Sequence, residues 1–258
     1  MHEAFLKKQR QYRWFIRTTR VAIFVLFLII WELTSHFRII DSFIFSSPSK
    51  VIQCFYSMIL DKSIFIHIGI TLYETLVSFT LVTVLSILFA TLLWSSQKIS
   101  EIFEPFLVVL NSLPKSALAP LLIVWLGANQ RTIIVAGMSV AIFGSILNMT
   151  TSFKEMDPDK IKLIYTLNGT KKQALTKVVI PGSVPSIISN MKVNIGLCLV
   201  GVIIGEFLAA RQGLGYLIIY ASQTFKLDWL LMSICVLCVI AMALYSLINF
   251  IEKIKADA

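Results

Sequence analysis

Charged side chains are scarce in this chain of 258 residues. Asp, Glu, Lys and Arg make up 14% of the sequence, compared with about 25% in typical soluble domains. Apolar residues make up 57%, which is more than the core of a soluble domain of this length requires. The composition therefore excludes a soluble globular protein and predicts an all-α integral membrane protein, because helices satisfy their own backbone hydrogen bonds in lipid.

The motifs of common enzyme classes are also missing. No GxxxxGK[ST] sequence occurs, so we do not expect this chain to bind ATP through a P-loop. The histidines His2, His36 and His67 lack the spacing of metal ligands, and no Ser/His/Asp set can be assembled. Cys235 and Cys238 form a CxxC pair inside an apolar run, where packing is a more frequent role than redox chemistry. The sequence thus predicts a chain that is not an enzyme, with no catalytic residue, metal site or cofactor of its own.

The cations that are present concentrate where they would define membrane orientation. Residues 1–20 contain Lys7, Lys8, Arg10, Arg13, Arg17 and Arg20. The apolar run that follows has no small-residue cleavage site, so we expect it to remain as a membrane span. Because Lys and Arg favour the cytoplasmic side of a membrane, we interpret residues 1–20 as a basic cytoplasmic segment rather than as a nucleic-acid-binding arm.

Six apolar runs follow along the chain, each close to the roughly 20 residues that a helix needs to cross hydrocarbon. They are residues 21–37, 68–94, 105–127, 132–153, 184–208 and 229–251. Six spans place both termini on one side, and the lysines of residues 154–185 mark that side as cytoplasmic. Residues 95–104 are then a short cytoplasmic link, and residues 209–228 lie outside.

Residues 38–67 form another outer segment, with a Ser–Pro turn at Ser46 to Ser49. The ten residues VIQCFYSMIL that follow the turn suit an amphipathic helix at the outer surface. A plain connector between two spans explains them equally well, and both interpretations stay open at the level of sequence.

The longest polar stretch, residues 154–185, carries its own helix signals. Asp157 can cap a helix that begins at Pro158, because proline lacks an N–H that the first turn cannot use. Asn168 and Gly169 predict its end, since both tolerate a left-handed backbone. An apolar side formed by Ile161, Ile164, Tyr165 and Leu167 contrasts with a polar side formed by Lys160 and Lys162.

A second short helix is expected in the same stretch. Thr170 and Gln173 match a capping box, and Pro181 and Pro185 are expected to break the chain again. The predicted order is helix, turn, helix, break. A basic loop that only determines topology is the alternative interpretation.

Span three, residues 105–127, combines proline with a central charge. Pro105, Pro114 and Pro120 bend the helix and free carbonyl groups, which must then face protein or a watery cavity. Lys115 costs roughly 2.5–3.5 kcal/mol at mid-membrane on insertion scales. A pathway-lining helix explains both features; a lysine that pairs with a neighbouring acid, or that snorkels, is the alternative.

Span five contains further polar residues in an apolar run. Asn194 and Glu206 are candidates for the same pathway, although Glu206 near the outer end could simply lie at the membrane interface. Gly201 and Gly205 have the small-xxx-small spacing that allows close helix approach, which is a packing feature. The sequence from Gly213 to Tyr216 predicts an outer turn.

Several short motifs occur in an order that resembles one transporter family. They are Trp31-Glu32-Leu33, Ser47-Pro48-Ser49, Leu113-Pro114-Lys115, Trp125-Leu126-Gly127, Gly205-Glu206-Phe207 and Gly213-Leu214-Gly215-Tyr216. Together with residues 154–185 they resemble the permeases of the nitrate/sulfonate/taurine group of bacterial ABC importers. In the cytoplasmic EAA loop of that family, the name-giving positions here hold Lys162, Leu163 and Ile164. Asn168 replaces the glycine, with Gly169 next to it, and Pro181 keeps its register.

The resemblance implies a type I ABC importer permease fold in a bacterial inner membrane, with residues 21–258 as one transmembrane domain. It implies three protein partners: a second permease copy in a homodimer, an ATP-binding subunit that carries ATP and Mg, and an extracytoplasmic substrate-binding protein. The solute would be an anion such as sulfonate or nitrate, or a small heterocycle. A secondary transporter or channel without an ATPase is the alternative function.

The same resemblance assigns roles to two sets of residues. The expected ATPase-coupling residues are Asp157, Pro158, Ile161, Lys162, Leu163, Ile164, Tyr165, Asn168, Gly169 and Pro181. The expected translocation-path residues are Pro114, Lys115, Pro120, Asn194 and Glu206.

Overall fold

The computed structural model describes residues 2–37 and 45–256, which form helices joined by short turns, without a strand in these ranges. The helices are α1 His2–His36, α2 Pro48–Leu60, α3 Ser63–Ser95, α4 Gln97–Ser112, α5 Lys115–Leu126, α6 Gln130–Lys154, α7 Pro158–Thr166, α8 Lys171–Ala174, α9 Ile180–Gly182, α10 Val184–Ala209, α11 Leu214–Gln223 and α12 Leu227–Ala256. A π-helical segment, Leu175–Val179, joins α8 to α9. The expected all-α fold is confirmed.

Five of the described helices are long and apolar enough to cross a membrane: α1, α3, α6, α10 and α12. The pair α4 and α5 adds a sixth span if the two are counted as one, and they are bent by 96° relative to each other. The prediction of about six spans is therefore confirmed. The third span, however, is a broken pair with its break at Leu113 and Pro114 rather than one kinked helix.

Three segments that were predicted to lie outside the spans are helical. Residues 2–20 continue into the first span as α1, because neither Gly nor Pro interrupts His2–His36. The predicted link 95–104 is mostly the start of α4, whose first turn is capped by the Ser96 hydroxyl accepting a hydrogen bond from the Ile99 N–H at 3.4 Å. The predicted outer turn after Gly213 opens directly into α11.

The chain divides into two compact units, and the first comprises residues 1–62 and 220–232. In this unit α2 confirms a helix after the Ser–Pro turn, whereas residues 38–44 of the same predicted segment lie outside the described residues. The Glu32 carboxylate on α1 accepts hydrogen bonds from the Ser49 N–H at 3.0 Å and the Ser49 hydroxyl at 2.8 Å. Ser46 donates to Asp228 at 2.5 Å. Burial, with a smaller contribution from the nearby Asp228, raises the pKa of the Cys54 thiol to about 11.

The second unit, residues 63–219 and 233–258, contains the packed core formed by α3, α6 and α10. Glycine allows α6 and α10 to approach each other closely. A Cβ atom on Gly201 would lie 2.8 Å from both the Ala136 carbonyl oxygen and the Gly137 Cα atom. A Cβ atom on Gly205 would lie 3.1 Å from the Ile133 Cα atom. The small-xxx-small interpretation of Gly201 and Gly205 is therefore confirmed as a helix-packing contact.

We expect Gly201→Val to destabilise the purified subunit, because the side chain would meet backbone atoms that cannot move aside. Overpacking of this kind typically costs roughly 1–3 kcal/mol. Gly196→Val is the matched control on the same helix, since no atom lies within 4 Å of a Cβ built there. Thermal unfolding in detergent should show a lower midpoint for Gly201→Val alone, and equal midpoints would contradict this packing.

Candidate functional site

The helix α7 begins and ends as its sequence signals predict. The Asp157 side chain accepts a hydrogen bond from the Asp159 N–H at 2.9 Å, and Pro158 occupies the first turn. At the other end Asn168 adopts a left-handed backbone with φ 56°. The Gly169 N–H then donates to the Ile164 carbonyl at 2.8 Å. Both ends of this nine-residue helix are therefore fixed by local hydrogen bonds.

Two apolar faces, rather than the single predicted one, run along α7. Ile161 packs against a buried cluster that includes Met149, Phe153 and Val179, which anchors the helix to the protein core. Leu163 and Tyr165 lie outward and are 58% and 44% exposed. Leu167 follows at 72% exposure, and Lys162 pairs with Asp159 at 3.3 Å on the surface. Tyr165 lies four residues after Ile161 and therefore on the same side of the helix, whereas Leu163 and Leu167 are a second i,i+4 pair on the other side. We name the exposed apolar surface of Leu163 and Leu167 the α7 patch.

The second helical segment differs from the prediction at Pro181. Thr170 and Gln173 form the expected capping box, in which the Gln173 side chain accepts from the Thr170 N–H at 2.7 Å. The helix is not broken at Pro181, however. The π-helical turn, closed by a hydrogen bond from the Ile180 N–H to the Leu175 carbonyl, accommodates the proline, and helical structure continues to Gly182. The predicted break lies at Ser183, which separates α9 from α10, and Pro185 occupies the first turn of α10.

Lys115 lies at the break between α4 and α5. Its ammonium group donates to the carbonyl oxygens of Leu110 at 2.6 Å and Asn111 at 3.0 Å, and lies 5.3 Å from the centre of the Phe143 ring. These carbonyls belong to the last turn of α4 and have no partner within the helix. The lysine therefore pairs with backbone carbonyls, a partner that the sequence analysis did not consider. Pro120 lies inside α5.

The two candidates from span five are buried within the second unit. Asn194 is 2% exposed and donates to the Ser145 hydroxyl at 2.8 Å. Asn190 donates to the same hydroxyl at 2.8 Å, so one buried serine on α6 receives two amide groups from α10. Glu206 is fully buried rather than at an interface. Neither Asn194 nor Glu206 has side-chain surface available to a solute in this subunit.

Glu206 instead holds the turn that leads into α11. It accepts hydrogen bonds from the Thr71 hydroxyl at 2.6 Å and from the Gly215 N–H at 2.5 Å. Thr71 in turn accepts from the Leu214 N–H at 2.9 Å. Gly213 adopts φ 116° and packs directly against the carboxylate, leaving no room for a side chain. The first turn of α11 is therefore built on the Glu206 carboxylate.

A second carboxyl inside a span, Glu74 on α3, is also buried, at 1% exposure. Glu74 was not among the predicted site residues. The sequence feature that could have identified it is an acidic residue surrounded by apolar residues in span two. Such residues are rare within membrane spans unless they have a partner.

A polar cavity between α6 and α10 was also missed. Its volume is about 360 Å³, and we name it the hydroxyl cavity; it is lined by Asn148, Thr151, Ser152, Ser186, Ser189, Asn190 and Val193. Serines, a threonine and asparagines repeat at helical spacing near the facing ends of spans four and five. That repetition is a signal in the sequence, but helical periodicity alone does not show that two such faces meet.

We expect Glu206→Leu to lower the thermal stability of the purified subunit, because the Gly215 N–H and the Thr71 hydroxyl would lose their acceptor. A buried polar group left without a partner costs roughly 1–3 kcal/mol. Glu101→Leu is the control, because Glu101 is exposed on α4, where it accepts a hydrogen bond from Gln97 at 2.9 Å. If both variants unfold at the temperature of the unmodified chain, Glu206 does not support this turn.

Comparison with known proteins assigns the chain to a family. Residues 82–254 match the family described as "Binding-protein-dependent transport system inner membrane component". The chain is 26% identical over 194 residues to the formylaminopyrimidine transport permease protein ThiX of Halalkalibacterium halodurans, covering 75% of this chain and 76% of that protein. It is 20% identical over 253 residues to the taurine transport system permease protein TauC of Escherichia coli, covering 95% and 92%.

The fold has solved counterparts. A chain from inward-facing structures of the MetNI methionine ABC transporter superposes with a TM-score of 0.66 at 16% identity, covering 72% of this chain and 93% of that one. The predicted type I importer permease fold is thereby confirmed, as is the resemblance to ABC importer permeases. This multi-pass membrane chain, the permease component of a transport system for small solutes, belongs to the family of inner membrane components of binding-protein-dependent transport systems.

Proposed function

We propose that this permease is the transmembrane subunit of an ATP-driven importer and that α7 docks onto a separate ATP-binding subunit. The observation that supports the proposal is the α7 patch. Leu163 on this short helix and Leu167 at its C-terminal cap are exposed apolar residues on one side, and Tyr165 is exposed on another. Large apolar side chains grouped at the surface of an otherwise polar segment favour a protein interface.

The way in which α7 is attached to the rest of the subunit suits it to transmit force. Its two ends are capped, and Ile161 fixes it to the core cluster, so a push on the helix moves the adjoining spans as one body. The preceding span α6 ends at Lys154, and the following span α10 begins at Val184. ATP-driven movement of the partner would thus reach both spans directly. ATP and Mg are bound by that partner in this proposal.

The complete importer would contain two copies of this chain, with both termini in the cytoplasm, and would receive its solute from an extracytoplasmic binding protein. The two copies would together form a path that opens to one side of the membrane at a time. A ligand would shift the balance between the two conformations by binding one of them more tightly than the other. The relatives named above transport formylaminopyrimidine and taurine, by their names. We infer a small solute of the same range, either an anion such as a sulfonate or nitrate, or a small heterocycle.

The break between α4 and α5 is the part of the predicted path that keeps exposed polar groups in this subunit. We propose that Pro114, Lys115 and Pro120 border the path there. Lys115→Met retains most of the side-chain length and removes the charge. We expect transport to fall at least about tenfold, equivalent to roughly 1.4 kcal/mol in the barrier, with normal assembly.

Lys115→Arg is the matched control for that substitution, since it keeps a cation near the carbonyls of Leu110 and Asn111. Solute uptake into vesicles and recovery of the assembled complex should be measured in parallel. Transport at the unmodified rate for Lys115→Met would show that the charge is not needed in the path. Loss of the complex would show instead that the lysine is a structural clamp.

Disulfide or bifunctional crosslinking tests the docking of α7. With Tyr165→Cys we expect a crosslink to the ATP-binding subunit, and with Leu163→Asp we expect binding of that subunit to weaken by about tenfold or more, as for a buried interface residue. Lys98→Cys, exposed in the first turn of α4, is the control position. A crosslink from Lys98→Cys alone would place the contact elsewhere, and no crosslink from any position would favour a secondary transporter or channel.

A further inference from the structure

We propose that α2 is a membrane anchor that lies along the lipid–water interface, with Ile52, Tyr56 and Leu60 inserted into lipid. The occupant of this side of the helix is therefore lipid rather than a second protein. This placement depends on the membrane location of the chain and not on the docking of α7. The level at which α2 is held, the distribution of its side chains and the adjoining surface of α1 support it.

Hydrogen bonds at its N-terminus hold α2 at the level where two spans meet the membrane surface. The Glu32 carboxylate, near the C-terminal end of α1, accepts from the Ser49 N–H at 3.0 Å and from the Ser49 hydroxyl at 2.8 Å. Ser46, just before α2, donates to Asp228 in the first turn of α12. Because α1 ends and α12 begins near these contacts, both lie at one membrane surface, which is the outer one in the orientation proposed above.

The length and the ends of α2 keep it along that surface. Its 13 residues extend about 20 Å at a rise of about 1.5 Å per residue, which is shorter than the hydrocarbon core of roughly 30 Å. Ser46 and Lys62 adopt left-handed backbones, with φ 54° and 61°, so the chain turns sharply before and after the helix. A helix of this length, held at the ends of two spans, can lie on the membrane but cannot cross it.

One side of α2 faces the protein, and another is an exposed apolar stripe. Met58 is buried, and Cys54, one turn earlier on the same side, is partly buried. Ile52, Tyr56 and Leu60 follow each other at four-residue spacing and are 62–68% exposed. We name these three residues the α2 stripe. Exposed apolar side chains at the level of a membrane surface favour contact with lipid over contact with water.

The polar residues of α2 indicate which side faces water. Gln53 and Ser57, each one position after a residue of the α2 stripe, are exposed and four residues apart. A soluble partner that approached through water would therefore meet amide and hydroxyl groups before it met the α2 stripe. A helix along the membrane interface has protein, lipid and water on three different sides. A plain connector surrounded by water would have no need of an exposed apolar stripe.

The surface beside α2 favours lipid over a second copy of this chain. Next to Glu32 on α1, the large apolar residues Ile30 and Leu33 are exposed, as lipid contact requires of a span. Because Glu32 holds the start of α2, the α2 stripe begins near this lipid-facing surface. Its three side chains alone offer much less than the about 800 Å² per partner that a stable protein interface buries. The amphipathic ring of Tyr56 also suits the headgroup level, where tyrosine is enriched.

Spin labelling of the full-length chain in liposomes tests this placement. With the four native cysteines replaced, single cysteines would be introduced as Tyr56→Cys and Leu60→Cys on the α2 stripe and as Gln53→Cys and Ser57→Cys on the polar side. Each cysteine would carry a nitroxide. Its collision rates would be measured with oxygen, which concentrates in lipid, and with a nickel chelate, which stays in water. All four positions are exposed, so the labels require no repacking of the protein.

We expect the ratio of oxygen to nickel collisions to be at least about threefold higher at Tyr56→Cys and Leu60→Cys than at the matched controls Gln53→Cys and Ser57→Cys. The reason is that the apolar side of an interfacial helix is buried about 5–10 Å into the boundary between headgroups and acyl chains. Equal ratios at the four positions would overturn the lipid placement. Weak collisions of both reagents with the α2 stripe would overturn it in favour of a protein cover, such as a second copy of the chain.

Discussion

The close contact between α6 and α10 is the constraint on which the rest of the second unit depends. Gly201 has backbone atoms of Ala136 and Gly137 at a distance where any larger residue would clash. Without a hydrophobic driving force between helices in lipid, such close approach is what gives van der Waals packing its strength. Buried hydrogen bonds from the side-chain amides of Asn190 and Asn194 to the Ser145 hydroxyl add direction to this contact. The glycines determine the distance between the helices, and the amides determine their register.

This contact fixes the base from which residues 154–185 project. Because α6 and α10 pack against each other, the segment between them begins and ends on helices that are fixed relative to one another. Within it, hydrogen bonds at Asp157 and Gly169 close α7 at both ends. A segment that is anchored at its ends and at Ile161 can transmit displacement, whereas a free loop would absorb it. The rigidity needed for the proposed coupling therefore follows from local caps added to one helix contact.

Much of this arrangement could be predicted from the sequence, and the failures have specific causes. Apolar runs and caps are local signals, so the spans, the start of α7 and the Thr170 capping box were predicted. The prediction that Pro181 breaks the helix was wrong, because the π-helical turn that accommodates the proline begins several residues earlier, at Leu175. The hydrogen bond from Thr71 to Glu206 joins residues far apart in the chain. Spacing within one helix carries no information about which faces meet, so this pair and the hydroxyl cavity could not be predicted.

Hydrogen bonding divides α10 into two parts that differ in how many polar groups are free to bind a solute. Around Glu206 the carboxylate is already occupied by Thr71 and Gly215, so a solute would have to replace short internal bonds in order to bind. Around Ser189 the polar groups face the cavity, and a solute would replace only water. Exchange of water for solute costs little, whereas opening a buried network costs its full desolvation. The same helix thus carries a fixed turn at one end and an open polar surface at the other.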